Sequence, residues 1–280
     1  MNPKMPFTLS LSKRFTCPQT CMGTSPAPTA IANTTTTASA AETLMLTTAT
    51  PPTTPTVPAQ PYTEAERRAV YRAIDERRDM RHFAGGAVAP EVLQRLLRAA
   101  HHAPSVGFMQ PWRFIRITQA ALRQQLHEVV EAERLLTADA LGVRREEFMR
   151  LKVQGVLDAA ELLVVALADG REAHIFGRRT LPRMDLASCA CAIQNLWLAA
   201  RAEGLGMGWV SIFDPAAVAP LVGMPAGAEP IALLCLGPVH GFYEEPMLQQ
   251  ERWAQRAPLR DVVFDDAWGV ASSVVGPARG

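Results

Sequence analysis

The sequence lacks the features that mark membrane, nucleic-acid-binding and disulfide-stabilised proteins. It has no apolar run approaching the roughly 20 residues that cross a bilayer. Its net charge is only +1, so no broad electrostatic attraction draws it to nucleic acid or to a membrane surface. Its 5 cysteines are odd in number and scattered along the chain, which is unlike a disulfide framework. These absences predict a cytoplasmic protein with no nucleic-acid or membrane partner.

Charge is scarcest in the first 60 residues, where the only charged side chains are two lysines, one arginine and one glutamate. This stretch is rich in Thr, Ala and Pro and has no sustained hydrophobic period. It cannot bury enough surface to offset its ordering entropy, so we predict a disordered tail over residues 1–60. Its Ser and Thr content is loosely that of a targeting peptide, although a single Arg argues against that alternative. Residues 61–280 are predicted to form the folded domain.

The folded part mixes helix and strand patterns. Thr63 and Glu66 form a capping box at the start of the first helix, and residues 184–203 are apolar almost all round, so that helix must be buried in the core or in a dimer interface. The predicted helices cover residues 64–78, 90–103, 120–136, 145–160 and 184–203, with a further helix starting at Asp214–Pro215. The predicted strands cover residues 112–118, 161–169, 206–213 and 231–239. Helices around three or four short strands predict an α+β, three-layer fold.

Several motifs have a structural explanation that needs no ligand. The glycines between Gly204 and Gly208 follow a helix and precede a strand, which is the reverse of a dinucleotide-binding loop. Cys189 and Cys191 lie on the apolar helix, where core packing accounts for them. Cys17 and Cys21 lack a second pair of ligands, so we predict no metal site.

The segment Arg77-Arg78-Asp79-Met80-Arg81 is the first candidate for a functional site. Three arginines within five residues could be a solvated, charged helix end. Composition alone favours that interpretation, but the arginines could instead form an anion site, because guanidinium groups match phosphate geometry and stay charged. In the second interpretation Asp79 is a carboxylate whose ionised form is favoured by its cationic neighbours.

Three later segments could join this one. Residues 103–112 place Ser105 in a loop before a strand, where a hydroxyl and backbone N–H groups can bind a ligand. Ser211 is the only polar side chain of the apolar segment 208–213, and a buried serine is usually hydrogen-bonded to backbone. Arg256 is a basic group outside any clear helix.

Taken together and in this order, these segments resemble the FMN-dependent nitroreductase superfamily, and most closely its 5,6-dimethylbenzimidazole synthase branch. The resemblance spans residues 64–269. It is also carried by Gly177-Arg178, Pro182, Met184-Asp185 and residues 194–201. Ordinary nitroreductases typically have Ser or Thr where Asp79 stands, and this difference points to the branch. One departure is Ala187, which stands where the branch has a Tyr.

The resemblance implies an α+β, three-layer fold with a central mixed sheet, assembled as a homodimer with two FMN sites at the subunit interface. It implies that Arg77, Arg78 and Arg81 hold the phosphate and the polar edge of the flavin, and that Ser105 reaches the cofactor from the partner subunit. It assigns further flavin contacts to Asp79, Met80, Leu151, Lys152, Ser211 and Arg256.

The implied activity is the O2-dependent fragmentation of reduced FMN to 5,6-dimethylbenzimidazole, the lower ligand of vitamin B12, and erythrose 4-phosphate, without a metal. Asp79 is then the candidate general base and Ser211 the candidate proton relay. Reduced FMN would come from a separate flavin reductase, because no nicotinamide site is evident in the sequence. Two alternatives stay open: a conventional NAD(P)H-dependent nitroreductase or flavin reductase, and a non-catalytic FMN-binding protein.

Overall fold

The computed structural model of the chain describes Val57, residues 59–151 and residues 154–275. The predicted disorder of residues 1–60 therefore falls almost entirely outside the described residues, and so does Lys152. The described helices are α1 (Glu64–Glu76), α2 (Pro90–His101), α3 (Ala120–Ala140), α4 (Arg145–Met149), α5 (Gly155–Asp158), α6 (Met184–Ala202), α7 (Pro215–Leu221) and α8 (Met247–Gln250). The described strands are β1 (Trp112–Arg116), β2 (Glu161–Leu167), β3 (Gly206–Val210) and β4 (Glu229–Gly237).

Within the described residues the sheet has four strands in the order β1-β2-β4-β3, and each neighbouring pair is antiparallel. The four strands themselves therefore do not form the mixed sheet that was predicted. The one parallel pairing among these residues is a single bridge between Asp79 and Met207, at the outer edge of β3. Strand direction could not be predicted from apolar runs, because parallel and antiparallel buried strands have the same pattern.

Helices cover both faces of the sheet and give the predicted three-layer, α+β arrangement. On one face, α2 and α6 pack against side chains of β2 and β4 such as Leu163, Val165 and Leu234. On the other face, α3 and α7 pack against the alternate side chains, such as Leu162, Val164 and Leu233. Every residue of β2 is buried, which explains the continuous apolar sequence from Leu162 to Leu167, because a strand covered on both faces has no polar side.

The two ends of α1 differ from each other. The predicted capping box is present at its start, where the Thr63 side chain accepts from the Glu66 backbone N–H and the Glu66 carboxylate accepts from the Thr63 backbone N–H. At its other end the helix stops at Glu76, two residues earlier than predicted, because Arg77 adopts an extended conformation with ψ 132°. The arginine segment is therefore an extended strand-like stretch rather than a helix end.

Two predicted elements differ from the structure. The single helix predicted over residues 145–160 is wrong, since the chain there forms two short helices, α4 and α5. The strand predicted to reach Phe213 ends at Val210, so Ser211 follows the strand and is exposed. The chain leaves the sheet here because Asp214 caps α7, its carboxylate accepting from the Ala216 N–H at 2.9 Å, and Pro215 has no N–H for a sheet.

Candidate functional site

The arginine segment is attached to the edge of the sheet by its backbone. The Met80 N–H donates to the Met207 carbonyl at 2.9 Å, which aligns the segment parallel to β3. Gly208 makes this approach possible. A Cβ at that position would collide with the Met80 carbonyl oxygen and come within 3.5 Å of Asp79 Oδ1. A glycine where two backbones meet is the residue type that such contacts require.

The extended conformation sends alternate side chains in opposite directions. The Met80 side chain points into the core, where only 3 % of the residue is exposed, and it packs beside Gly206. Asp79 and Arg81, on either side, face the opposite way and line a cleft. Met80, predicted as a flavin contact, therefore anchors the segment with its side chain.

The cleft has a volume of about 780 Å³, within the range of about 300–1,000 Å³ that small-molecule sites occupy. Five residues singled out from the sequence meet in it: Arg77, Arg78, Asp79, Arg81 and Arg256. The remaining lining residues are Ile74, Asp75, Gln194, Glu244, Glu245, Pro246, Met247, Leu248 and Gln249. Arg256 is thus brought to the arginine segment from 175 residues further along the chain.

Arg77 lies among other cations. Its guanidinium stacks on the indole ring of Trp197 at 4.5 Å from the ring centroid, a stabilising cation–π geometry. Burial lowers the pKa of Arg77. The nearby charges of Arg78 and Arg256 lower this pKa further, whereas the negative charge of Asp79 raises it. The group stays cationic because arginine does not deprotonate in proteins. An anion bound beside Arg77 would relieve its repulsion by Arg78 and Arg256.

Arg78 has a different role from its neighbours. Its guanidinium donates to three backbone carbonyls: Asp75 at 2.6 Å, Arg77 at 2.8 Å and Glu244 at 2.7 Å. These bonds tie the end of α1 to the segment that begins at Glu244. Arg78 lines the cleft, but its donors on these atoms already have partners, so it holds the wall of the site together.

Asp79 lies between donors at the base of this arrangement. Its Oδ1 accepts from the Trp209 backbone N–H at 2.9 Å, and its Oδ2 accepts from Arg81 Nη2 at 3.2 Å. Its side chain is 36 % exposed in the single chain, yet protein atoms surround the carboxylate closely enough to desolvate it. Burial raises the pKa of Asp79, against the opposing effects of Arg81, the Trp209 N–H and Arg77. A carboxylate in this position can exchange protons at a higher pH than an ordinary Asp.

The other predicted site residues lie outside the cleft. Ser105 sits in the loop before β1, where its Oγ accepts from the Gln110 backbone N–H at 3.1 Å. Leu151 lines a smaller, apolar cavity of about 170 Å³ that shares Arg81 and Leu248 with the cleft. Ser211 is exposed just beyond β3 and is next in sequence to Ile212, which lines that smaller cavity.

Sequence reasoning missed the wall that faces the arginines. Residues 244–249 line the cleft, and none of them was singled out as a site residue from the sequence. Gln194 also lines it, from α6. The signal that could have identified Gln194 is the amide pair Gln194-Asn195 in a largely apolar helix, whereas residues 244–249 carry no local pattern.

Residues 59–151 and 154–275 contain no group of three or more His, Cys, Asp or Glu side chains that could hold a metal ion. Across the same ranges, no helix combines the length and apolarity needed for a bilayer crossing. The charged groups of the cleft are arginines, aspartates and glutamates.

Comparison with known proteins agrees with this geometry. The model of the Nitroreductase family matches residues 74–238. The chain is 36% identical over 199 residues to a 5,6-dimethylbenzimidazole synthase of Rhodobacter capsulatus, covering 70% of this chain and 96% of the relative. It is 37% identical over 184 residues to a 5,6-dimethylbenzimidazole synthase of Rhodospirillum rubrum, covering 65% of this chain and 87% of the relative.

The fold is also that of a solved structure, the NADPH:FMN oxidoreductase from Vibrio harveyi complexed with NAD+. The TM-score is 0.55 at 22% sequence identity, and the alignment covers 73% of this chain and 80% of the other. At this identity the likeness concerns the fold alone. The family match covers more than half of the chain and includes the arginine segment and β3, so the chain belongs to the nitroreductase family.

Proposed function

We propose that the cleft binds FMN and that the chain is an oxidoreductase acting on it. The observation that carries the proposal is the meeting of Arg77, Arg81 and Arg256 around one cleft, with Asp79 bound to Arg81 in its lining. The donor set fits FMN, because guanidinium groups match phosphate geometry and can also face the polar edge of a flavin. Bound FMN would supply the redox chemistry, as flavins do in proteins.

The reaction we propose is the oxygen-dependent fragmentation of reduced FMN to 5,6-dimethylbenzimidazole and erythrose 4-phosphate. Two features support it over an ordinary flavin reduction. The relatives named above are 5,6-dimethylbenzimidazole synthases, and Asp79 occupies the position where ordinary nitroreductases typically have Ser or Thr. A carboxylate there provides a proton acceptor that a hydroxyl does not.

In this mechanism Asp79 is the general base. The Trp209 N–H and the Arg81 guanidinium hold both carboxylate oxygens, so the side chain is oriented before a substrate arrives. Its raised pKa makes the ionised carboxylate a stronger proton acceptor than that of an ordinary Asp. Positioned proton transfer of this kind typically contributes about 10²–10⁴ in rate. Arg81 places positive charge beside the reacting region and would stabilise negative charge on a reduced flavin.

Ser211 is the proposed hydrogen-bond partner or proton relay. It lies two residues beyond Trp209, whose N–H holds Asp79, and it directly follows the end of β3. Its exposure in the single chain leaves the hydroxyl accessible to a bound molecule. Leu151, which lines the apolar cavity beside Arg81, is retained as a proposed flavin contact.

The proposed active form is a homodimer. No residue of α1 is buried in the single chain, although the helix is amphipathic and exposes Val70, Tyr71 and Ile74. Two large aromatic side chains on neighbouring loops, Phe108 and Phe176, are 81% and 80% exposed. Apolar surfaces of this kind mark contact sites. A second copy would cover them and would bring its own Ser105 toward the flavin.

The second candidate function is an NAD(P)H-dependent nitroreductase or flavin reductase on the same fold. It is favoured by the match of residues 74–238 to the Nitroreductase family model. In the proposed function, by contrast, a separate flavin reductase supplies reduced FMN. A flavin-binding protein without catalysis is the third candidate.

The three candidates differ in what happens to the flavin. NADH added without air to FMN-loaded protein should bleach the flavin slowly or not at all, whereas an NAD(P)H-dependent reductase would bleach it within seconds. With a separate flavin reductase, NADH and air, total FMN should then decline in proportion to time and protein. Full recovery of FMN after many reduction and oxygenation cycles would exclude the fragmentation and leave a binding protein.

A further inference from the structure

We propose that Arg144 and Trp253 are positioning residues that make the cleft selective for a phosphorylated flavin, by holding residues 244–256 so that Arg256 faces Arg77. The inference rests on the proposed function, since it concerns how the same cleft recognises FMN. It assigns no contact with the flavin to either residue. Both act through Arg256, the basic group at the end of the segment.

The segment is fastened first at its beginning. Arg78 Nη2 donates to the Glu244 carbonyl at 2.7 Å, and residues 244–249 then line the cleft. Little else secures this stretch within the described chain: α8 has only four residues, and none of them is buried. A helix of four residues with no buried side chain cannot fix its own position.

The second fastening point is Trp253. The Arg144 guanidinium stacks on its indole ring at 3.4 Å from the ring centroid, and Arg144 Nη2 donates to the Trp253 carbonyl at 3.2 Å. Glu147 holds Arg144 in place through two bonds of 2.9 and 3.0 Å. Phe148 of α4 packs against Trp253, with the two ring centroids 6.2 Å apart. Arg144 therefore contacts both the side chain and the backbone of Trp253.

Trp253 determines where Arg256 can go. The Trp253 and Ala254 N–H groups both donate to the Leu248 carbonyl, at 2.8 and 3.3 Å, which closes a tight turn, and Arg252 just before them has a left-handed φ of 56°. Arg256 follows Trp253 by three residues, is exposed, and reaches the cleft close enough to repel Arg77. With Trp253 released, the chain beyond the turn would lose its direction, and Arg256 would leave the phosphate end of the cleft.

The test measures the binding of FMN and of riboflavin, which lacks the phosphate, to flavin-free full-length protein by quenching of flavin fluorescence. Arg256→Gln should weaken FMN about 10-fold and riboflavin very little, because it removes one charge-assisted bond to phosphate. Arg144→Gln should weaken FMN about 3- to 10-fold, again with riboflavin unchanged. The matched control is Arg145→Gln, which removes the adjacent arginine and its exposed pair with Asp139 and should change neither affinity.

A double-mutant cycle separates positioning from general damage. Once Gln replaces Arg256, a second change at Arg144 should have no further effect on the ratio of the two affinities. Trp253→Phe, which keeps a ring under the guanidinium, should retain most of the FMN preference, and melting temperatures check that each variant is folded.

Several outcomes would overturn the inference. Equal losses for FMN and riboflavin in the Arg144 variant would show a general structural role. Additive effects in the cycle would show that Arg144 does not act through Arg256. Wild-type protein that binds both flavins equally would refute phosphate selectivity and leave flavin binding intact, whereas protein that binds neither would refute the proposed function as well.

Discussion

At the scale of single residues, Asp79 is held firmly in the site by hydrogen bonds, but its surroundings disfavour its charged form. Its two oxygens are held by a backbone N–H and an arginine, yet burial still raises its pKa. A carboxylate whose charged form the fold disfavours is a candidate functional group, because stability alone would not select it.

This environment predicts how stability changes with pH. The folded protein binds the Asp79 proton more tightly than the unfolded chain does, so the free energy of unfolding falls as the pH rises from the ordinary pKa of Asp through the raised one. Asn in its place keeps an oxygen for the Trp209 N–H and carries no charge. We expect Asp79→Asn to melt at a higher temperature than wild type at neutral pH, with the difference closing toward about pH 4, near the ordinary pKa of Asp. A variant that melts lower at neutral pH would contradict the assigned environment.

Ser211 gives a second prediction at this scale. The residue lies beyond β3 and lacks the burial that a purely structural serine would have. Ser211→Gly should therefore reduce the rate of flavin consumption about 10-fold or more. The dissociation constant for FMN should change less than about threefold, which corresponds to well under 1.4 kcal/mol of binding free energy. The measurement pairs a turnover assay with a fluorescence titration. Loss of FMN affinity with an unchanged rate per bound flavin would make Ser211 a binding residue.

At the scale of elements, the sequence predicted what depends on local pattern. The capping box of α1, the wholly buried β2 and the apolar α6 are all present where the periodicity placed them. The failures occur where distant contacts decide the structure. The end of β3 is set by the start of α7, and the far wall of the cleft is set by bonds such as Arg144 to Trp253, which join residues 109 apart. No local pattern encodes such a contact.

The junction between β3 and the arginine segment can be tested directly. Gly208→Ala would place a Cβ against the Met80 carbonyl and beside Asp79. The backbones of β3 and of the arginine segment would then be forced apart. Overpacking of this sort costs about 1–3 kcal/mol, so the variant should melt lower and bind FMN more weakly. Gly241→Ala is the matched control, because a Cβ at Gly241 meets nothing within 4 Å. Equal behaviour of the two variants would show that the close approach does not position the site.

At the scale of the whole molecule, the single chain leaves apolar surface that a second copy would explain. Phe108 and Phe176 belong to loops that touch each other, since a Cβ at Gly107 would contact Phe176, and both rings are largely exposed. The amphipathic α1, which has no buried residue, exposes further apolar side chains. Dimerisation would bury this surface and complete the site with a partner's Ser105.

Sedimentation of the wild-type protein should therefore give a dimer, and Phe176→Asp should shift it toward the monomer by placing a charge in the apolar contact. The control is Val143→Asp, at a fully exposed valine on the turn before α4. If Phe176→Asp remains dimeric while the control behaves identically, the contact surface lies elsewhere.

The central claim concerns the fate of the flavin, and its most direct test is the identity of the product. Purified protein is incubated with FMN, a separate flavin reductase, NADH and air, and the mixture is analysed by chromatography for 5,6-dimethylbenzimidazole. Wild type should form a product peak that requires both the protein and oxygen, and Asp79→Asn should bind FMN but form at least about 100-fold less. FMN recovered intact from wild type, with the reductase shown to be working, would contradict the account and favour a conventional nitroreductase.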